Sequence, residues 1–117
     1  MSRFLEQYEK AGCDVRGVMD RFMSDEELLW ECLQQFMGEN DFSNLQRAAE
    51  QGDYKEAFEY AHAIKGIVGN LGIQPVYLPV CRLVESLRNM HTENVAEELK
   101  AVMDAYAVFT QHYNDMI

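Results

Sequence analysis

The hydrophobic positions of this chain recur at intervals of three and four residues, and apolar and polar residues almost nowhere alternate as they do in strands. Only two prolines, Pro75 and Pro79, interrupt the pattern. This periodicity predicts an all-α chain. Four long amphipathic helices joined by short loops pack most economically as an antiparallel four-helix bundle, and additional short helices are expected in the N-terminal 22 residues.

Capping residues and glycines mark the expected boundaries of the first long helix. Ser24 and Glu27 have the spacing of a capping box, in which each side chain bonds a free backbone N–H of the first turn. Gly38 stands where a glycine commonly ends a helix. These signals predict a helix over about residues 25–37.

The second half of the chain carries further signals of the same kind. A shorter helical segment is expected over about residues 42–51, and Asp53 is expected to cap a long helix that continues to Leu71. The apolar pattern then predicts a helix that begins at Pro79 and a last helix capped by Thr92. Together these elements predict a single domain over residues 1–117, with its core bundle at about 25–115.

Composition sets the class of protein and its expected location. With 117 residues, 48% of them apolar, the chain is long enough to fold without disulfide bonds. Cys13, Cys32 and Cys81 are odd in number, widely spaced and embedded in apolar stretches, which predicts small buried side chains with free thiols in a reducing compartment. The charged start of the chain has no signal-peptide core, and no apolar run reaches the length of a membrane span. We therefore expect a cytoplasmic protein.

The charge balance argues against two classes of partner. Twenty acidic residues and ten basic ones give a net charge of -10. A protein of this charge repels nucleic acid backbones and anionic membrane surfaces, so neither is expected to bind it. The same repulsion favours a monomer.

The segment over residues 54–72 departs from an ordinary amphipathic helix. Its apolar residues fall within about 80° of one another on a helical wheel and predict a buried face. His62 lies about 140° from Ala57 on that wheel and therefore faces outward, with Lys65 one turn further along. The predicted buried face consists of Ala57, Ala61, Ile64, Val68 and Leu71.

Two glycines accompany this outward-facing histidine. Gly66 and Gly69 lie inside the helix, where each costs about 1 kcal/mol relative to alanine. Because alanine would fit an exposed face equally well, the glycines indicate close approach by a partner. A neutral imidazole is a nucleophile near neutral pH, and the ammonium group of Lys65 can neutralise an incoming phosphoryl oxygen. Periodicity and chemistry alone leave a reactive histidine and a solvated surface histidine about equally probable.

The string AHAIKGIVGNLG, residues 61–72, resembles the signature of histidine-containing phosphotransfer domains. In that signature an Ala-His pair is followed by Lys at +3, Gly at +4 and a Leu-Gly pair near the helix end. The resemblance extends from about Asp14 to the last helix. It implies that His62 accepts a phosphoryl group from the phospho-aspartate of a receiver domain and passes it to the aspartate of another receiver.

The resemblance also implies roles for the neighbours of His62. The phosphoryl group would be carried on Nε2, with Lys65 stabilising it and Gly66 and Gly69 giving the receiver room. The expected partners are response-regulator receiver domains and a hybrid histidine kinase, and the receiver would bring the Mg²⁺ ion. No cofactor is expected in this chain. With no ATP-binding motif, the chain is expected to be a phosphoryl carrier and not an enzyme.

Three further residues are candidates near His62. Members of the family often place a polar group on the following helix to orient the imidazole, and Glu85 or Val84 falls at that position here. We favour Glu85, because Val84 belongs to an apolar stripe. Phe58 and Glu59 are candidates for a docking rim. No metal site is expected, because the Glu-x-x-His pair ending at His62 has no second copy.

An adaptor function is the alternative to phosphoryl transfer. A helical bundle that docks a receiver domain or another protein, without being phosphorylated, would need the space provided by glycine. It would have no need for an imidazole and an ammonium group together. The presence of His62, Lys65 and Gly66 on one helix face favours the phosphoryl carrier.

Overall fold

Seven α-helices and one short 3-10 helix make up the fold of the computed structural model, which describes all 117 residues. No strand is present, so the predicted all-α helical bundle is confirmed. Numbered in chain order, the helices are α1 (Arg3–Lys10), α2 (Val15–Arg21), α3 (Glu26–Met37), α4 (Asp41–Glu50), α5 (Tyr54–Asn70), α6 (Gln74–Arg88) and α7 (Val95–Met116). The 3-10 helix over Thr92–Asn94 leads into α7.

Helices α4 to α7 form a four-helix bundle. Each packs against the next along the chain, and α7 closes the ring by packing against α4. Short connections make consecutive helices antiparallel. In the α5–α6 pair, Gly69 near the end of α5 lies beside Tyr77 near the start of α6. At the opposite end of this pair, Arg88 lies over the ring of Phe58.

The N-terminal helices cover one side of this ring. Helix α3 was predicted to be one of the four bundle helices, but it approaches the bundle less closely than the four members approach each other. The shorter α4 takes that place, and α3 joins the bundle through large side chains. Trp30 of α3 lies between Phe4 of α1 and Tyr113 of α7, with ring centroids 5.3 and 5.7 Å away. The core contains 29 buried apolar residues and no buried charged or polar side chain.

The cap of α3 differs from the prediction. Asp25, not Ser24, is the N-cap, and its carboxylate accepts a hydrogen bond from the Leu28 amide at 3.0 Å. Ser24 cannot take that role because it adopts a left-handed conformation with φ +62°, directly after Met23 at φ +53°. At the other end, Gly38 lies at the C-cap with an ordinary helical φ of -84°.

The start of α6 was also predicted wrongly. The helix begins at Gln74, five residues before Pro79, and Pro75 occupies the first turn, where its missing N–H is tolerated. Pro79 lies inside the helix, where it removes one backbone hydrogen bond. The earlier start places Tyr77 on the helix and against α5.

The last helix is also capped differently from the prediction. Thr92 does not cap it directly but begins the 3-10 turn, and Asn94 is the N-cap residue.

The three cysteines are free, and only Cys13 is buried, whereas Cys32 and Cys81 are half-buried. None of the helices combines the length and the apolar character needed to cross a membrane.

Candidate functional site

Helix α5 forms and is oriented as its sequence predicts. Asp53 caps its first turn by accepting a hydrogen bond from the Glu56 amide at 3.1 Å. All five residues of the predicted apolar face are buried in the bundle. His62 lies on the opposite face and is exposed.

An open cleft lies beside His62 along the surface of α5 and α6. Its volume is about 260 Å³. Its lining carries an imidazole, an ammonium and an amide group, and its mouth is open. These features suit a small charged group presented by another molecule, in contrast to the closed apolar pockets that hold drug-sized ligands. The cleft is lined by His62, Lys65, Gly66, Gly69, Asn70 and Tyr77.

Lys65 provides a positive charge that no acidic side chain neutralises. The chain has three ion pairs, which are formed by Arg47 with Glu56, Arg88 with Glu85, and Lys100 with Asp104. Lys65 belongs to none of them. Lys65 is half-buried and lines the cleft, so its ammonium group is free to interact with an anion there.

The two glycines of α5 have different surroundings. A Cβ atom built on Gly66 would meet no atom within 4 Å, so this position opens directly to the cleft. A Cβ atom built on Gly69 would lie 3.0 Å from Cε1 of Tyr77. Helix packing within the chain therefore explains Gly69, whereas at Gly66 clearance for a partner stays a prediction.

Tyr77 is a cleft residue that the sequence interpretation missed. Its ring packs on Gly69 and forms the α6 wall of the cleft. Interaction with the Cys81 thiol, chiefly through hydrogen bonding, raises the pKa of the Tyr77 phenol. Pro75, in the first turn of α6, was the sequence signal that could have identified Tyr77. A helix that starts near Pro75 places Tyr77 beside α5.

The imidazole of His62 is held by an aromatic contact and by no hydrogen bond. None of the side-chain hydrogen bonds in the chain involves His62. Phe58, one turn earlier, stacks on the imidazole with ring centroids 5.6 Å apart and an interplanar angle of 19°. Arg88 of α6 places its guanidinium carbon 5.6 Å from the Phe58 ring centroid. Glu59, the other predicted rim residue, is exposed.

Glu85 does not contact His62 as expected. Its carboxylate pairs with the Arg88 guanidinium, three residues later on the same helix, at 2.5 Å. Arg88 carries a permanent charge and lies one turn away, so it attracts the carboxylate more strongly than a neutral imidazole can. Val84, the alternative considered from the sequence, is fully buried.

The end of α5 next to the cleft is fixed by the N-terminal helices. The Tyr8 hydroxyl donates a buried hydrogen bond to the Leu71 carbonyl. Nε of Arg21 donates to the Asn70 carbonyl at 3.0 Å. Gly72 ends the helix with φ +68° and accepts a hydrogen bond from the Asp14 amide at 2.9 Å. These bonds satisfy carbonyl groups that a helix end leaves unpaired.

Metal-binding side chains do not cluster anywhere in the chain. No group of three or more His, Cys, Asp or Glu residues has the geometry to hold a metal ion. Glu59 and His62 thus stand without the further carboxylates of a di-iron site. The cleft offers a nucleophile, a cation and open space.

Comparison with protein families gives one match. The model of the Hpt domain family matches residues 27–108, which include α5 and the whole cleft. No curated protein and no solved structure matches the chain significantly.

Proposed function

From the premise that this chain belongs to the Hpt domain family, we propose that His62 is its phosphoryl-accepting residue. Hpt domains carry phosphoryl groups on a histidine in phosphorelays and interact with receiver domains of response regulators and with kinases. In this chain His62 accepts a phosphoryl group from the phospho-aspartate of one receiver and passes it to the aspartate of another. Hybrid histidine kinases that carry a receiver are donors of the same kind.

The transfer uses the lone pair of one imidazole nitrogen. Nε2 of neutral His62 attacks the phosphorus atom, the N–P bond forms, and the P–O bond to aspartate breaks. The electron pair of that bond leaves with the receiver carboxylate, and Nδ1 keeps its proton. The reverse reaction with a second receiver regenerates the neutral imidazole. The Mg²⁺ ion belongs to the receiver in this proposal, and no cofactor of this chain takes part.

The proposal depends most on the uncommitted Lys65. An ammonium group without an acidic partner, one turn from an exposed histidine, is free to neutralise a phosphoryl oxygen. Open space at Gly66 supports close approach of a receiver to the same face. A docking adaptor would need that space but neither charge nor nucleophile.

The test is transfer from phosphorylated receiver domains in the presence of Mg²⁺. The purified chain should gain one phosphate that is labile in acid and stable in base, measured by intact mass. His62→Gln should gain none, and His91→Gln, a change at another exposed histidine, should behave as wild type. Receiver binding without phosphate on wild type would establish the adaptor instead, and phosphate on His62→Gln would overturn the assignment.

A further inference from the structure

The His62 imidazole must present one nitrogen to an incoming phosphorus atom, and this requirement rests on the proposed function. A ring free to rotate about its side-chain bonds spends only part of its time in the reactive orientation, which slows transfer. Histidines at reactive sites are commonly oriented by a hydrogen bond to the other ring nitrogen. His62 has no such bond within this chain, so another contact must orient the ring.

Phe58 supplies that contact. Its phenyl ring lies nearly parallel to the imidazole in an offset stack, with ring centroids 5.6 Å apart and an interplanar angle of 19°. Phe58 is half-buried and packs against the apolar core, so its own position is fixed. The imidazole itself remains exposed.

Two charged residues of α6 complete the surroundings of Phe58. The Arg88 guanidinium lies 5.6 Å from the phenyl centroid, a cation–π distance. Glu85 pairs with Arg88 and restricts where the guanidinium can lie. A continuous series of contacts thus runs from Glu85 through Arg88 and Phe58 to His62. We call these four residues the α5–α6 seam.

We propose that Phe58 and Arg88 are positioning residues, which orient the His62 imidazole by stacking in place of a hydrogen bond. Glu85 then acts on His62 through Arg88 and not by direct contact. This role differs from that of a docking rim. A docking residue changes how tightly the receiver binds, whereas a positioning residue changes how fast the bound receiver transfers its phosphoryl group.

The first test is transfer kinetics at increasing receiver concentration. Phe58→Leu should lower the maximal rate roughly tenfold with little change in the receiver concentration at half-maximal rate. Phe58→Tyr keeps an aromatic ring and should restore most of the rate. Arg88→Met should have a smaller effect of the same kind. Arg82→Met removes another exposed arginine from α6, outside the seam, and should behave as wild type.

The second test observes the ring directly in the unphosphorylated protein. NMR shifts of the His62 ring protons should move in Phe58→Leu, because the ring current of the phenyl group is lost, and should stay near wild type in Phe58→Tyr. Arg88→Met should move them less. This measurement requires no phosphoryl transfer, so it tests the stacking even if the proposed function fails.

The outcomes separate the two ideas. Absence of phosphate on wild type would reject the proposed function and leave the ring-proton shifts to decide the stacking. Phosphorylated wild type with unchanged maximal rates in Phe58→Leu and Arg88→Met would reject the positioning role. An effect of Phe58→Leu only on half-saturation would make Phe58 a docking residue. If Phe58→Leu does not fold, Arg88→Met, at an exposed position, decides between these results.

Discussion

The C-terminal end of α5 and the region around His62, which both border the cleft, are held in place by different kinds of contact. At the C-terminal end, a buried hydrogen bond from Tyr8, a backbone hydrogen bond from Asp14 and an exposed one from Arg21 tie the helix to α1, α2 and the loop between them. Around His62, the contacts are an aromatic stack and an exposed ion pair on the outside of the bundle. One end is fixed by satisfied polar groups, and the other is supported by weaker surface contacts.

This difference matches what each end must do. Breaking a buried hydrogen bond leaves an unpaired polar group, so the C-terminal end resists distortion. Surface stacking and ion pairs contribute less to stability, and they leave the imidazole accessible to a partner. In the proposed function, a rigid helix end beside an accessible imidazole lets the site exchange a phosphoryl group while the bundle stays intact. Variants should therefore change stability at one end and transfer at the other.

The largest expected effect on stability is at Tyr8. Tyr8→Phe removes the hydroxyl that donates to Leu71 and leaves a buried carbonyl unpaired, so the free energy of unfolding should fall by about 2 kcal/mol. Urea unfolding measures this change. Tyr113→Phe is the control, because no hydrogen bond is recorded for that hydroxyl, and it should be nearly neutral. Transfer by folded Tyr8→Phe should stay within about twofold of wild type.

The contrast between the two ends of α5 would be wrong if folded Tyr8→Phe transferred the phosphoryl group more than about twofold more slowly than wild type. It would mean that the C-terminal end of α5 also sets the geometry at His62. Equal stability of Tyr8→Phe and Tyr113→Phe would mean that the Leu71 carbonyl finds another partner.

The same end should make the protein sensitive to alkaline pH. Burial raises the pKa of the Cys13 thiol from 9.0 to about 12, and burial also raises the pKa of Tyr8. Between pH 9 and 12 the native state keeps a proton that the unfolded chain has lost, so stability falls as pH rises. Cys13 alone should cost about 1.4 kcal/mol between pH 8 and pH 10.

Urea unfolding at these two pH values tests the effect. Cys13→Ala should reduce the alkaline loss of stability, whereas Cys32→Ala, at a half-buried cysteine, should keep it. An unchanged loss in Cys13→Ala would assign the alkaline sensitivity to other groups.

At the cleft, Gly66→Ala should raise stability while lowering function. The position is exposed and inside a helix, so alanine should add about 1 kcal/mol to the free energy of unfolding. The added methyl group projects into the space kept for a receiver and should slow transfer severalfold, and Gly66→Gln should slow it further. Gly66→Gln with wild-type transfer would show that the receiver does not approach Gly66.

Much of this fold follows from local patterns. The apolar face of α5 and the Asp53 cap were predicted correctly because helical periodicity and capping depend on neighbouring residues. Errors occurred where longer-range packing or backbone geometry decided. Asp25 caps α3 in place of Ser24, because Ser24 adopts a left-handed conformation. Pro79 lies inside α6 and does not begin it.

The same limit applies to the cleft. His62, Lys65 and Gly66 lie on one helix and could be placed on one face from their spacing. Tyr77 could be placed only with the start of α6 that Pro75 signals. The contact of Arg88 with Phe58 could not be placed, because it depends on the register of α6 against α5. Sequence spacing predicts which residues share one face of a helix. Tertiary packing determines which residues of other helices lie against that face.

The smallest expected effect is at Gly69, and it sharpens the contrast with Gly66. Alanine at either position gains the same helix propensity, but at Gly69 its Cβ would press against Tyr77 at 3.0 Å. The two terms nearly cancel, so Gly69→Ala should stay within about 0.5 kcal/mol of wild type. Urea unfolding of Gly69→Ala, Tyr77→Ala and the double variant should give a coupling energy of about 0.5–1 kcal/mol. Without the Tyr77 ring, the alanine at 69 meets no obstacle and its higher helix propensity stabilises the protein. The same cycle with Gly66→Ala should be additive, and coupling there would mean that Tyr77 covers the open part of the cleft as well.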